Sequence, residues 1–141
     1  MTVFVDTSAL YAVLDRDDRN HPAARDVWKD LVEGGESLLT TNYVVVETAA
    51  LVQHRLGLDA VRTLLDDMLG LVEVVFVDAD LHRATAAAML AARQRGLSLV
   101  DCASFQTMRD LGLEIAFAFD RHFDQQGFRP AGSRPAIKRR K

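Results

Sequence analysis

The chain has 141 residues, 49% hydrophobic and 26% charged, with one cysteine and a formal net charge of −3. That is the length of one domain and an ordinary globular composition, which excludes a disordered polypeptide and a disulfide-stapled scaffold. No apolar run approaches the ~18 residues of a membrane span, and the opening Met1-Thr2-Val3-Phe4-Val5-Asp6 lacks a basic leader region, so a protein of a reducing cytoplasm with no membrane partner is expected.

The average charge conceals a division. Residues 129–141 hold six of the 17 basic residues and no acidic one, whereas residues 1–128 carry eleven basic against twenty acidic residues, net −9. We therefore expect a folded unit over 1–128 and a basic, poorly ordered tail over 129–141. The acidic body is not the basic face of a duplex-binding domain. Carboxylates that hold metal ions would still suit a nucleic-acid enzyme, because the ions supply local positive charge.

Val3-Phe4-Val5 predicts a short strand that breaks at Asp6-Thr7-Ser8, three residues suited to capping a helix through Leu14. A second helix is expected from about Pro22 to the Gly34-Gly35 pair. Ser37–Thr41 reads as a strand. From Asn42 to Leu56, Tyr43, Val46, Ala50 and Leu51 recur at helical spacing until Gly57 stops the run, and a further helix is expected from Leu58 to Leu69. Leu71–Val77 is the clearest strand, β-branched and expected to be buried. The alanine-rich stretch Asp80–Arg95 predicts a helix stopped by Gly96. Ser98 begins another helix that runs to Leu111, and Glu114–Phe119 predicts a last strand ending at Asp120. Strands separated by helices imply crossover connections, so the expected fold is a three-layer α/β domain with a mostly parallel sheet of four to five strands.

The acids fall at telling places. Asp6 and Asp120 each end an apolar strand, at the sheet edge where ligands gather in open parallel sheets. Asp101 lies in the first turn of a helix, and Glu47 projects from a helix face expected to be covered. Singly, each has a plain explanation: Asp6 as a helix cap, Asp101 as half of a capping box with Ser98, Asp120 in a turn, Glu47 at a solvated rim. Jointly they are harder to dismiss, because no Lys or Arg stands near Asp6, Glu47 or Asp101 in the sequence. Converging carboxylates take up protons unless cations are present, and Mg²⁺ or Mn²⁺ fits an all-carboxylate site. Such a cluster suits phosphodiester hydrolysis. Competing chemistries lack their parts: no Gly-rich phosphate loop, no Gly-x-Ser-x-Gly elbow, and Asp6-Thr7-Ser8 where a haloacid-dehalogenase phosphatase needs Asp-x-Asp. Cys102 and Trp28 read as packing residues.

Val3-Phe4-Val5-Asp6-Thr7-Ser8-Ala9-Leu10, Glu47, Leu99-Val100-Asp101-Cys102 and Phe119-Asp120-Arg121-His122-Phe123 together resemble the PIN-domain ribonucleases, VapC-type toxins in particular. The resemblance implies a Mg²⁺- or Mn²⁺-dependent endoribonuclease, a homodimer, an RNA substrate and a cognate antitoxin. It assigns Asp6, Glu47, Asp101 and Asp120 to metal and water, with Ser8 in support. Thr7 and Asp124 are candidates for a supporting layer, Arg121 and His122 for contact with RNA phosphate, and the basic tail for weak RNA binding. Two other readings stay open: a housekeeping RNA-processing nuclease of the same fold, and a non-catalytic RNA- or protein-interaction module.

Overall fold

Val3, Phe4 and Val5 are consecutive in a strand, so their side chains alternate between opposite faces, yet each is almost fully buried. A strand buried on both faces belongs to the middle of a sheet covered by helices on either side. The computed structural model, which describes residues 1–132, has that architecture. Strands β1 (Thr2–Val5), β2 (Ser37–Thr41), β3 (Glu73–Val75), β4 (Ile115–Phe117) and β5 (Arg129–Pro130) form one sheet in the order β3-β2-β1-β4-β5, every pairing parallel. The helices are α1 (Thr7–Leu14), α2 (His21–Glu33), α3 (Asn42–Leu56), α4 (Leu58–Arg62), α5 (Ala79–Ala92), α6 (Leu99–Leu111) and α7 (His122–Gln125). Phe4, Leu10, Val44, Val52, Leu64, Met108 and Phe117 form the centre of the core.

The chain adds strands outward on one side of β1, then returns to add β4 and β5 on the other. The order therefore reverses between β1 and β4, and in an open parallel sheet the crevice beyond the carboxyl ends of such a strand pair is where ligands bind. Asp6 and Asp120 flank that crevice.

Several sequence expectations are corrected. The strand expected over Leu71–Val77 is only Glu73–Val75 and lies at the sheet edge, with Phe76 73% exposed. Its β-branched composition suits a pleated surface without fixing a central position. The helix expected over Leu58–Leu69 is α4 followed by a π-helical stretch, Thr63–Met68, and a 3₁₀ turn, Leu69–Leu71. Helix α5 ends at Arg93 in the left-handed conformation, φ 53°, before the expected stop at Gly96. On α3 the buried stripe is Val44, Thr48 and Val52, while Val46 is 67% exposed. Apolar spacing missed this because Thr48 hides its hydroxyl, whose single proton is shared between Val44 O (2.7 Å) and Thr7 Oγ1 (2.9 Å). The boundary drawn at residue 128 falls just before β5. Arg129 and Ala131 donate to Glu114 O (2.8 Å) and Ala116 O (2.9 Å), so the start of the expected tail is an edge strand. The rest of that tail, residues 133–141, lies outside the described residues. Trp28 is half-buried against the core and Cys102 is buried. Among the described residues, no helix is long and apolar enough to cross a membrane.

Candidate active site

The end of β1 leads straight into α1, and Asp6 at that junction caps the helix. Its Oδ2 accepts from Ser8 N (3.1 Å) and from Ser8 Oγ (2.7 Å). Ser8 Oγ in turn accepts from Phe119 N (2.9 Å), tying the end of β4 to the start of α1 and shortening the strand expected to reach Phe119. Asp120 follows immediately. Its Oδ1 accepts from His122 N (2.9 Å) and from His122 Nδ1 (2.7 Å) in the tautomer that carries the proton there.

Asp101 enters from α6, where the capping box with Ser98 is complete: Asp101 N donates to Ser98 Oγ (3.0 Å) and Ser98 N to Asp101 Oδ2 (3.1 Å). Capping and convergence are thus the same event, since the box aims Asp101 into the crevice. Glu47 comes from α3, its Oε1 accepting from the buried Thr7 hydroxyl (2.8 Å), which itself accepts from Thr48. Contrary to the covered face expected for it, Glu47 is exposed at the rim.

Asp6, Thr7, Ser8, Glu47, Leu51, Ser98, Asp101 and Asp120 line one open cleft of about 420 Å³. Ligand atoms of Asp101, Asp120 and His122 lie within 4.8 Å of one another. Each of the four acids has one oxygen held by the protein and one without a hydrogen bond among the described residues. No Lys or Arg lines the cleft or pairs with these acids among the described residues.

The electrostatic consequence is visible at Asp6. Burial pushes its carboxyl up to about 6 from the ordinary 3.8, over the opposing effect of the two Ser8 hydrogen bonds, and the charges of Asp101 and Asp120 push further upward. Burial also raises Asp101, with the Asp120 charge adding to it, against the Ser98 hydrogen bonds and the attraction of His122. The site is an oxygen-donor cluster short of positive charge, and Mg²⁺ or Mn²⁺ is the kind of ion such donors fit.

The PIN domain family profile matches residues 3–129, spanning all four acids and the whole sheet core. The chain belongs to the PIN-domain family. It is 33% identical over 127 residues to the 23S rRNA-specific endonuclease VapC20 of Mycobacterium tuberculosis, covering 89% of this chain and 95% of that protein. The crystal structure of M. tuberculosis VapC20, described as a Sarcin-Ricin loop cleaving toxin, superposes with a TM-score of 0.79 at 31% identity, covering 94% of this chain and 99% of the other. The fold is shared more distantly with VapBC2 from Rickettsia felis, solved with a promoter DNA fragment (TM-score 0.66, 12% identity, 92% of this chain and 97% of that one).

Within this PIN domain, the lesser sequence assignments divide. Thr7 and Ser8 line the cleft and hold Glu47 and Asp6. His122, a candidate for contact with RNA phosphate, holds Asp120 through Nδ1 and has its ring close to Gly96. Arg121 and Asp124 are exposed and do not line the cleft. Asp120 precedes α7, which begins at His122, so Asp120 and Asp124 do not share that helix. Sequence reasoning missed Thr48, Leu51 and the orienting role of His122. The Asp120-x-His122 spacing was a usable signal for the last, because an Asx turn brings the second residue back onto the carboxylate.

Proposed function

We propose that this PIN domain is a Mg²⁺- or Mn²⁺-dependent endoribonuclease that hydrolyses RNA phosphodiester bonds, the toxin of a toxin–antitoxin pair. The observation that carries this reading is the meeting of Asp6, Asp101 and Asp120 in one cleft without a neutralising Lys or Arg. In that arrangement Asp6, Asp101 and Asp120 would hold the ion, each carboxylate having an oxygen without a hydrogen bond among the described residues. A bound divalent ion supplies activation of water and neutralisation of charge on the phosphate. Ser8, Ser98 and His122 keep the carboxylates aimed, each from a fixed hydrogen bond. Glu47, held at Oε1 by Thr7, keeps Oε2 for the proton of the attacking water. The water oxygen joins phosphorus as the bond to the 3′-oxygen breaks, and the 3′-oxygen takes up a proton, leaving 5′-phosphate and 3′-hydroxyl ends.

The identity with VapC20 favours a ribosomal RNA loop as substrate. The resemblance to VapC-type toxins adds, as part of the proposal, a homodimer restrained by a cognate antitoxin in the cytoplasm. The test is cleavage of ribosomal RNA by the purified protein with EDTA, with Mn²⁺ restored, and in Asp101→Asn. Cleavage should vanish in EDTA, return with Mn²⁺ and fall about a hundred-fold or more in the variant, since even supporting partners of a metal site are worth about 10–100-fold. Equal cleavage under all three conditions overturns the reading.

A further inference from the structure

A half-buried tyrosine, Tyr43, stands on the same line of α3 as the cleft acid Glu47 and is paired with the exposed ring of His82 on α5. Tyr43, Glu47 and Leu51 are spaced i, i+4, i+8 and share one helix face, which puts Tyr43 about 6 Å from Glu47, one turn nearer the helix start. Glu47 and Leu51 line the cleft. The Tyr43 hydroxyl and His82 Nδ1 on α5 share a hydrogen bond, and the two rings meet edge to face with centroids 5.9 Å apart and planes at 78°. A third ring lies close in the chain path. Val77 N donates to Asn42 Oδ1 (2.7 Å), which brings the segment carrying Phe76, 73% exposed, to the first turn of α3. Tyr43 and His82 thus meet near the carboxyl edge of the sheet, on the β3 side of the acids, and the chain segment carrying Phe76 runs past the first turn of α3.

No aromatic ring lines the acidic cleft, so a base of the strand being cut finds its stacking surface beside the cleft and not within it. Aromatic faces do this for any unpaired base, by stacking, and rings fixed before binding lose little freedom when the base arrives. The mutual hydrogen bond fixes both rings in advance. A surface tie between α3 and α5 accounts for that bond but not for the alignment with Glu47 or for the unburied Phe76.

We propose that Tyr43 and His82, extended by Phe76, form the platform on which an unpaired base of single-stranded RNA stacks beside the bond being cut. This rests on the endoribonuclease reading above. The experiment measures Mn²⁺-supported cleavage by the full chain on a short single-stranded oligoribonucleotide, and on a series in which one base at a time around the cut is replaced by an abasic ribose. Wild type should show one flanking position where base removal raises KM about ten-fold with kcat little changed. Tyr43→Ala and His82→Ala should carry that KM on the intact oligonucleotide and lose the abasic penalty, whereas Tyr43→Phe, which keeps a ring, should retain much of it. A merely structural pair would lower cleavage of intact and abasic substrates alike, and that result overturns the platform, as does an unchanged penalty in Tyr43→Ala and His82→Ala. Efficient cleavage by wild type with no sensitive position refutes the platform while sparing the nuclease. Cleavage of ribosomal RNA without cleavage of the oligonucleotide refutes the single-strand platform while sparing the nuclease, and cleavage of neither refutes both.

Discussion

Asp6→Asn is expected to make the metal-free protein more stable at neutral pH while destroying its site. Asp6 is 4% exposed and its carboxyl is raised from 3.8 to about 6, chiefly by burial. At 1.36 kcal/mol per pH unit, ionising it inside the fold costs about 3 kcal/mol more than in the unfolded chain. Between those two values the native state keeps a proton that the unfolded chain has released. Stability is therefore fully present below pH 3.8 and falls as pH rises through about 6. Asparagine is neutral and caps helices as well as aspartate, so the hydrogen bonds from Ser8 survive in kind. Urea unfolding followed by circular dichroism in EDTA should show wild type losing up to about 3 kcal/mol relative to Asp6→Asn between pH 4 and pH 7. The variant should be the more stable protein at pH 7.5. Adding Mn²⁺ at about 100 times its Kd should stabilise wild type by about 2.7 kcal/mol and the variant far less, narrowing or reversing the order. Parallel pH profiles of the two proteins in EDTA, or a variant less stable at pH 7.5, would refute the claim that Asp6 is a buried charge lacking its counter-ion.

Thr7→Val should leave Glu47 unheld, lowering kcat about ten-fold with KM little changed, as single-turnover and steady-state cleavage would show. Ser8→Ala removes the hydroxyl that Asp6 and Phe119 N share, so it should cost about 1–3 kcal/mol in urea unfolding at pH 5 as well as lowering activity. His122→Ala should weaken Mn²⁺ binding about 10–100-fold without unfolding the domain, read by calorimetric titration. Arg121→Ala, exposed and outside the cleft, should lower the salt dependence of RNA binding and leave kcat intact, and an unchanged salt slope removes the phosphate contact.

The parts of this molecule that were readable from sequence are those where a local signal has one structural solution. Asp6 after Val3-Phe4-Val5 and Ser98 three residues before Asp101 are capping patterns, and both caps form. They also position two of the four acids, so local chemistry and the site coincide. What was not readable depends on partners distant in sequence. Whether Leu71–Val77 is central or peripheral is decided by its single neighbour β2, and whether α3 buries Val46 or Thr48 is decided by the Thr7 hydroxyl on another helix. Likewise the ladder between Ile115–Ala116 and Arg129–Pro130 turns the first residues of a basic, proline-containing stretch into an edge strand. His122 looked like a surface residue because the turn that folds it onto Asp120 becomes meaningful only once Asp101 is beside it.

The proposed chemistry requires the acids of the β1 and β4 ends and the α6 start to share one divalent ion. Titrating Mn²⁺ into the full chain, with free ion followed by electron paramagnetic resonance, tests that directly. Wild type should remove Mn²⁺ from solution saturably, Asp6→Asn and Asp101→Asn should each bind it about a hundred-fold more weakly, and Asp124→Asn should match wild type. Equal Mn²⁺ affinity in wild type and Asp101→Asn would contradict the account.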